Sequence, residues 1–180
     1  VDVVPFIPVQ DVTMEDCIDL AERYGQTVAN KFGISVYLYA EAARDSSRVK
    51  LPDIRRGEYE GLEDKLADPF WQPDYGPSQF NPRIGITATG ARPILIAYNV
   101  NLDTNDKGVT NKIAGKLRTS GVLKKDENGE KIIGSDGKPE RINGRFQALQ
   151  GAGWMYDDTT AQVSMNLLDY SKTGLHDVTD

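Results

Sequence analysis

The sequence contains one cysteine, one histidine, no long apolar run and no excess of positive charge, and each shortage excludes a class of protein. The lone Cys17 excludes an internal disulfide, and with the lone His176 it is too little for a zinc site without several carboxylates. Every apolar run is shorter than the ~18 residues of a membrane-spanning helix. A net charge of −6 argues against nucleic acid as the main partner. We therefore expect a cytoplasmic globular protein without a metal, which binds neither nucleic acid nor membrane.

Several catalytic motifs are absent as well. Gly151 and Gly153 do not open a dinucleotide-binding G-x-G-x-x-G motif, because Tyr156 stands where its third glycine belongs. The sequence has no phosphate-binding P-loop and no G-x-S-x-G motif. Ser78 has no neighbouring base in the sequence, which favours a turn or ligand-contact role over a nucleophile. His176, close to the last residue, is more typical of a surface residue than of a catalytic one.

One stretch combines two opposite compositions, residues 74–92 and residues 93–102. The first part carries three glycines, two prolines and many small polar residues, and it predicts neither a helix nor a central strand. The second part alternates apolar and polar residues, which predicts a strand with one buried face. A glycine-bearing segment with many free backbone N–H groups is typical of segments that wrap a small polar ligand. It is equally typical of a linker between subdomains.

The first half of the chain predicts a strand, a helix and a second strand. Residues 1–9 predict the first strand, Thr13 begins an amphipathic helix that Gly33 ends, and residues 34–39 predict the next strand. Residues 40–72 predict short, irregular turns over the sheet. The order β-α-β indicates a layered arrangement of strands against helices.

The second half predicts the order β-α-β-β. After the strand at 93–102, Thr104 or Asn105 begins a helix, residues 122–145 form an exposed hairpin insertion, and strands follow at 146–156 and 160–170. This order predicts an α+β fold of two tandem ferredoxin-like (split β-α-β) subdomains, both incomplete. Because the chain opens inside a strand-like run and closes on the first turns of a helix, we expect a fragment of a larger polypeptide.

Polar side chains near the predicted core strand are the candidates for substrate binding. Arg92 can clamp a carboxylate with two hydrogen bonds, and the alternative is a surface salt bridge. Asn99, Asn101, Gln162 and Asn166 lie opposite the apolar faces of two predicted strands. If those strands are neighbours, the amides line one polar sheet face, where they form an uncharged binding site or simply face solvent.

Six runs of this sequence resemble the glutamate formimidoyltransferases, or formiminotransferases. They are GPSQFNPRIGITATGARPILIAYNVNL, VDVVPFIPV, VYLYAEAARD, LPDIRRGEYEGL, QGAGWMYDD and AQVSMNLLDY. The matches are collinear and cover nearly the whole chain apart from residues 122–142. The resemblance implies two ferredoxin-like subdomains with the substrates in a tunnel between them. Residues 1–84 would then be the last part of the N-terminal subdomain, and residues 85–180 a truncated C-terminal subdomain.

The resemblance also implies an activity, the transfer of a formimino group from N-formimino-L-glutamate to tetrahydrofolate in histidine degradation. Tetrahydrofolate would be a co-substrate, and no metal would take part. Apart from the resemblance, ferredoxin-like sheets commonly pair, so we expect a homodimer. The implied folate-binding stretch consists of Gly76, Pro77, Ser78, Gln79, Phe80, Asn81, Pro82, Arg83, Ile84 and Gly85. Its glycines allow a close backbone approach, and Phe80 or the neighbouring Tyr75 would face the flat pterin.

The sequence departs from the family at the catalytic histidine. In the family that histidine lies in an H-P-R-x-G-A motif just before the strand that opens this chain, so we expect it upstream of Val1 and expect little transferase activity from these 180 residues alone. The alternative function is a non-catalytic module that binds a folate-like ligand on the same scaffold. An RNA-binding sheet is a weaker third alternative, because the chain is acidic. Whether a cyclodeaminase domain accompanies the transferase is open.

Overall fold

A computed structural model describes residues 2–179, and the chain divides into two units, Val1–Pro93 and Ile94–Asp180. The sequence predicts a division after Ile84, whereas the structure divides the chain after Pro93. The reason is the strand at Ile86–Ala91, which pairs with two strands of the first unit.

Within residues 2–93 the structure has three strands and three α-helices. They are β1 (Asp2–Phe6), α1 (Met14–Phe32), β2 (Ser35–Ala40), α2 (Leu51–Ile54), α3 (Leu62–Ala67) and β3 (Ile86–Ala91), with turns of 3-10 helix at Ser46–Arg48 and Pro69–Trp71. The strands form one parallel sheet in the order β1-β3-β2. Because β3 lies between the two strands that α1 connects, the unit has the split β-α-β arrangement that the sequence predicts.

The central strand β3 contradicts the prediction that residues 74–92 contain no such strand. All six of its residues are buried. Small residues suit this position, since both sheet faces are covered and the neighbouring strand is close. A Cβ on Gly90 would lie 2.1 Å from the Tyr39 carbonyl oxygen. A strand buried on both faces does not alternate, so the period-two signal is absent from it.

Helix α1 begins and ends as the sequence predicts. The Thr13 hydroxyl accepts a hydrogen bond from the Asp16 N–H at 3.1 Å, and the Asp16 carboxylate accepts one from the Thr13 N–H at 2.8 Å. This reciprocal pair satisfies two of the N–H groups that a helix leaves free at its start. Gly33 ends the helix with a φ of 64°, a conformation that costs least in glycine.

The two faces of the first sheet pack against different helices. On one face α1 contributes buried residues such as Ala21 and Val28, which pack near Leu38 and Val36 of β2. On the other face lie the short helices that residues 40–72 form. Their buried side chains and the sheet residues beneath them make one cluster of Tyr37, Tyr39, Ile54, Leu62, Leu66, Ile86 and Ala88.

In the second unit the described elements are β4 (Ile96–Leu102), α4 (Lys107–Leu117), β5 (Val122–Leu123), β6 (Arg141–Ile142), β7 (Leu149–Met155), β8 (Ala161–Leu167) and α5 (Leu175–Thr179). An antiparallel sheet has the order β4-β8-β7. Here β8 lies between the two strands that are linked through α4, so this unit is also a split β-α-β motif. The α+β class with ferredoxin-like subdomains is therefore confirmed.

An exposed hairpin interrupts the second unit between α4 and β7, as the sequence predicts. β5 pairs with β6, and isolated bridges join Lys125 to Lys131 and Ile133 to Pro139. The two turns contain Gly129 and Gly137, with φ of 82° and 74°. Glycine adopts these left-handed conformations at little cost, which explains why the Asn-Gly and Asp-Gly pairs stand there.

Two glycines of β7 give a matched test of the packing between α4 and the second sheet. A Cβ on Gly153 would lie 2.4 Å from the Thr110 hydroxyl and 2.5 Å from the Asn111 N–H nitrogen, whereas a Cβ on Gly151 would have no neighbour nearer than 3.6 Å. We expect Gly153→Ala to lower the free energy of unfolding by about 1–3 kcal/mol, because α4 must move away. Gly151→Ala is expected to be neutral or slightly stabilising. Urea denaturation of both variants checks this, and equal effects would contradict the packing described.

Candidate functional site

The segment Gly76–Gly85, the predicted folate-binding stretch, leaves the edge of the first sheet at Tyr75. The Asp74 N–H donates to the Val36 carbonyl oxygen at 2.9 Å, and the Val36 N–H donates to the Tyr75 carbonyl oxygen at 2.9 Å. This short antiparallel bridge attaches the start of the segment to β2. Most of the segment beyond it is exposed, apart from the half-buried Phe80 and the buried Gly85.

Gly76 holds the start of the segment against the sheet. Its φ is 84°, and a Cβ there would lie 2.2 Å from the Ile34 carbonyl oxygen. The Ser35 hydroxyl donates to the Pro77 carbonyl oxygen at 2.6 Å. A residue with a side chain does not fit at this position, because the chain turns through a left-handed conformation while touching another backbone.

The middle and end of the segment are held by Phe80 and Asn81. The Phe80 ring packs against the first unit's core and lies 5.7 Å, edge to face, from the Tyr59 ring. The Tyr59 hydroxyl donates to the Pro82 carbonyl oxygen at 2.5 Å. Asn81 accepts the Arg83 N–H at its side-chain oxygen, at 3.0 Å, and the Gly85 N–H at its carbonyl oxygen, at 2.8 Å. The segment is thus fixed at both ends and in its middle.

Free backbone donors remain along the same segment. Among residues 2–179, the N–H groups of Gly76, Ser78, Gln79, Phe80 and Asn81 donate no hydrogen bond to another residue. The prediction of many free N–H groups is therefore confirmed for this stretch. Exposed donors held in one place can bind the carbonyl and ring-nitrogen acceptors of a polar ligand.

A buried ion pair lies at the base of the segment. The Asp74 carboxylate accepts hydrogen bonds from the Arg48 guanidinium at 3.0 Å and from the Leu38 N–H at 2.8 Å. The side chains of Arg48 and Asp74 are only 10% and 5% exposed. The guanidinium lies 5.2 Å from the centre of the Tyr37 ring. The Tyr37 hydroxyl in turn donates to the Trp71 carbonyl oxygen. Sequence reasoning misses this pair, because two charged residues 26 positions apart give no local signal.

Burial raises the pKa of Tyr37 to about 12, with the Arg48 charge lowering it and the Asp74 charge raising it. A hydroxyl with a raised pKa in the folded state stabilises the fold fully below the unfolded pKa of about 10. That contribution is lost as the pH rises through about 12. We expect the stability advantage of the parent chain over Tyr37→Phe to fall by about 2–3 kcal/mol across this window. Denaturation at a series of alkaline pH values measures it, and an advantage independent of pH would contradict the burial of this hydroxyl.

Tyr75, the second aromatic candidate, is covered by Arg44. The Arg44 guanidinium lies 4.8 Å from the ring centre, and Nη2 contacts the Tyr75 hydroxyl at 2.5 Å and the Glu22 carboxylate at 3.1 Å. One face of this ring therefore already has a partner within the first unit.

Arg92 follows β3 and is half-buried. Its N–H donates to the Phe6 carbonyl oxygen at 3.1 Å, and its Nη1 donates to the Pro93 carbonyl oxygen at 3.1 Å. Within the described part of the chain its guanidinium forms no ion pair, so the alternative of a surface salt bridge receives no support. The remaining guanidinium N–H groups can donate hydrogen bonds to a carboxylate of a ligand.

The amide candidates share one face of the second unit's sheet, as the sequence predicts for neighbouring strands. Asn101 lies opposite Gln162, and the Gln162 Nε2 donates to the Asn101 Oδ1 at 2.7 Å. Asn99 is exposed two residues earlier on the same face, and Asn166 pairs with Ala97. The opposite face packs against α4, so the apolar and polar faces are separated as expected.

Sequence reasoning also misses Trp154 on this polar face. It pairs with Gln162 across β7 and β8, is 56% exposed, and lies 5.2 Å from the Lys107 Nζ. Its place beside the amides follows from the register between the strands. The run QGAGWMYDD contains Trp154, but the alternation within that run does not show that the side chain lies beside the amides of the neighbouring strand.

The remaining candidates form no proton-transfer or metal centre in the described chain. His176 is exposed and lies 3.3 Å from the Asp177 carboxylate, and Ser78 donates its hydroxyl to the Gln72 side-chain oxygen. Residues 2–179 bring together no group of three histidine, cysteine or acidic side chains able to hold a metal ion.

Among the described residues, no helix is both long enough and apolar enough to span a membrane.

Comparison with known proteins assigns both halves of the chain to one family. Residues 1–92 match the N-terminal subdomain of the formiminotransferase domain, and residues 97–180 match the formiminotransferase domain. Formimidoyltransferase-cyclodeaminases from Mus musculus and Dictyostelium discoideum are 46% and 43% identical over 98% of this chain, which spans 30% of their length. The glutamate formimidoyltransferase of Thermoplasma acidophilum is 38% identical over 97% of the chain and 51% of its own length.

The similarity therefore runs through both structural units, and the junction between the two matched regions lies close to the division after Pro93. The chain spans about a third to a half of the relatives that it matches. It belongs to the formiminotransferase domain family.

Proposed function

We propose that this chain takes part in the transfer of the formimino group from N-formimino-L-glutamate to tetrahydrofolate, a step of histidine degradation. The observation that carries the proposal is the agreement of both units with the formiminotransferase domain, together with relatives named glutamate formimidoyltransferase. Tetrahydrofolate is a co-substrate in this proposal, and both substrates are small polar molecules.

We assign tetrahydrofolate to the segment Gly76–Gly85. The segment is exposed, its ends are fixed, and five of its N–H groups are free to donate. The pterin ring of tetrahydrofolate carries a carbonyl oxygen and ring nitrogens that accept such hydrogen bonds. Phe80 supports this role by packing into the core, where it fixes the backbone between the free donors. Contact between its ring and the pterin remains a prediction.

We assign a carboxylate of the formimino donor to Arg92 of the first unit, and Asn99 and Asn101 of the second unit are separate candidates for polar contacts with the substrate. Arg92 supports this role with a guanidinium that has no carboxylate partner in the described chain, and a planar guanidinium binds a carboxylate with two parallel hydrogen bonds. Asn99 and Asn101 carry neutral donors and acceptors on an exposed face of the second unit's sheet.

The reaction sets the proton transfers that a complete site must perform. The N5 amine of tetrahydrofolate attacks the amidine carbon, a new C–N bond forms, and the bond from that carbon to the glutamate nitrogen breaks. The attacking amine loses a proton and the leaving amine gains one, which is general acid–base catalysis. We assign none of this work to His176, because it is exposed beside Asp177. A histidine in an H-P-R-x-G-A motif remains our prediction for this group.

A formimino-transfer assay tests the proposal. A protein that joins this chain to the H-P-R-x-G-A segment predicted for the family is supplied with formiminoglutamate and tetrahydrofolate, and 5-formiminotetrahydrofolate is measured. We expect turnover, and we expect Arg92→Met to raise KM for formiminoglutamate by about tenfold or more, with KM for tetrahydrofolate unchanged. The exposed Arg145→Met is the matched control and should leave both values unchanged. Tetrahydrofolate binding without turnover would instead favour the non-catalytic binding module.

A further inference from the structure

Arg48 gathers three acceptors from one short run of chain. Its Nη1 donates to the Asp74 carboxylate at 3.0 Å, and its Nη2 donates to the carbonyl oxygens of Gln72 and Phe70 at 2.9 Å and 3.2 Å. The residue is only 8% exposed, and its guanidinium stacks near the Tyr37 ring, 5.2 Å from its centre. A single buried side chain therefore fixes residues 70–74.

Residues 70–74 lead directly into the segment Gly76–Gly85. Two hydrogen bonds connect these residues to the sheet and to the segment. Asp74 accepts the Leu38 N–H of β2 at 2.8 Å, which attaches the run to the sheet. Gln72 accepts the Ser78 hydroxyl at its side-chain oxygen while its carbonyl oxygen accepts Arg48. The guanidinium and the Ser78 hydroxyl thus hold the same residue from two sides.

We propose that Arg48 is a positioning residue for tetrahydrofolate, holding the free N–H groups of Gly76–Gly85 in their binding geometry through Gln72 and Asp74. The inference rests on the proposed function, because it assumes that this segment binds the folate. Arg48 itself is buried and is not expected to contact the ligand.

An arginine is required for this task because its planar fork presents several donors at fixed angles. Lysine keeps the charge that Asp74 needs, but it offers one compact ammonium and cannot reach all three acceptors in the same geometry. Arg48→Lys therefore keeps the positive charge at residue 48 but removes hydrogen bonds that fix residues 70–74.

Equilibrium titration with tetrahydrofolate, and steady-state kinetics of the protein used in the transfer assay, test the proposal. We expect Arg48→Lys to raise Kd and KM for tetrahydrofolate by about tenfold or more, because small displacements of a binding group are costly. KM for formiminoglutamate should stay unchanged. A role limited to stability would instead lower the amount of folded protein and leave the affinity of the folded fraction at the parent value.

Two variants of Gln72 test the same link without touching the buried charge. Gln72→Leu removes the acceptor of the Ser78 hydroxyl and should weaken tetrahydrofolate binding by about threefold to tenfold. Gln72→Glu keeps an acceptor oxygen and should restore most of the affinity. The Gln72 variants still test the proposal if Arg48→Lys does not fold. Gln72 is exposed, so its substitution should not unfold the protein, and its backbone contact with Arg48 is kept.

The outcomes separate this inference from the proposed function. If the parent chain binds tetrahydrofolate and the folded Arg48→Lys and Gln72→Leu variants bind it equally well, the positioning role is wrong while the function stands. If the parent chain does not bind tetrahydrofolate, the assignment of the segment fails and the positioning role fails with it. Selective loss of tetrahydrofolate affinity in both variants supports both.

Discussion

Replacing Asp74 by asparagine is expected to lower the free energy of unfolding of the first unit by about 3–5 kcal/mol. The substitution leaves the Arg48 charge buried without its counter-ion, since the two side chains are 10% and 5% exposed. Asparagine can still accept the Leu38 N–H, so the loss reports mainly the unpaired guanidinium. Chemical denaturation followed by the fluorescence of Trp71, which packs beside this pair, measures the change.

An exposed ion pair in the same unit provides the matched control. Asp53 pairs with Arg56 at the surface, where the Arg56 side chain is 79% exposed. Asp53→Asn should cost less than about 1 kcal/mol, because water screens exposed pairs. Equal effects of Asp53→Asn and Asp74→Asn would contradict the burial of the Arg48 pair.

The combined variant Arg48→Met, Asp74→Leu removes both charges of the buried pair at once. It should recover much of the stability that Asp74→Asn loses, since apolar side chains of similar size do not leave an unpaired charge in the interior. A combined variant less stable than Asp74→Asn would show that the polar contacts to residues 70–74, and not the charges, hold this part of the fold.

Replacing Gly76 by alanine is expected to cost about 3 kcal/mol and to weaken tetrahydrofolate binding by at least about tenfold. Two effects add. A side chain disfavours the φ of 84°, and the new Cβ would lie 2.2 Å from the Ile34 carbonyl oxygen, so the backbone must move. The movement displaces the start of the segment that carries the free N–H groups.

Gly33→Ala separates the two effects. Gly33 has a φ of 64°, but a Cβ there would meet nothing within 4 Å. This variant should cost about 1–2 kcal/mol from backbone strain alone and should bind tetrahydrofolate as the parent chain does. Stability by denaturation and Kd by titration are compared for both variants. A Gly76→Ala protein with unchanged Kd would argue against folate binding at this segment.

Local patterns in the sequence were sufficient to predict the helices and strands whose signals lie within a few residues. Thr13 and Gly33 mark the ends of α1 because capping depends on neighbouring backbone groups. The alternation in β4 and β8 separates a core face from an amide face, and the structure confirms that these strands are neighbours. At α4 the signal is less sharp, and Asp106 caps the helix in place of the predicted Thr104 or Asn105.

Features that depend on distant parts of the chain could not be predicted in this way. The strand β3 is covered on both faces, so its small residues show no alternation, and local patterns do not indicate that it pairs with the strands of the first unit. Arg48 and Asp74 meet only because the turns over the sheet fold back onto β2. The candidate segment could be predicted from its glycines and prolines, but the contacts that hold it could not.

Amide hydrogen exchange of the chain, with and without tetrahydrofolate, tests most directly whether Gly76–Gly85 binds the folate. We predict that the free N–H groups of Gly76, Ser78, Gln79, Phe80 and Asn81 become protected when tetrahydrofolate is added. The exposed hairpin at residues 124–140 serves as the internal control and should exchange at the same rate in both samples. Protection of other residues with no change in Gly76–Gly85, or no protection at all at saturating tetrahydrofolate, would contradict the assignment.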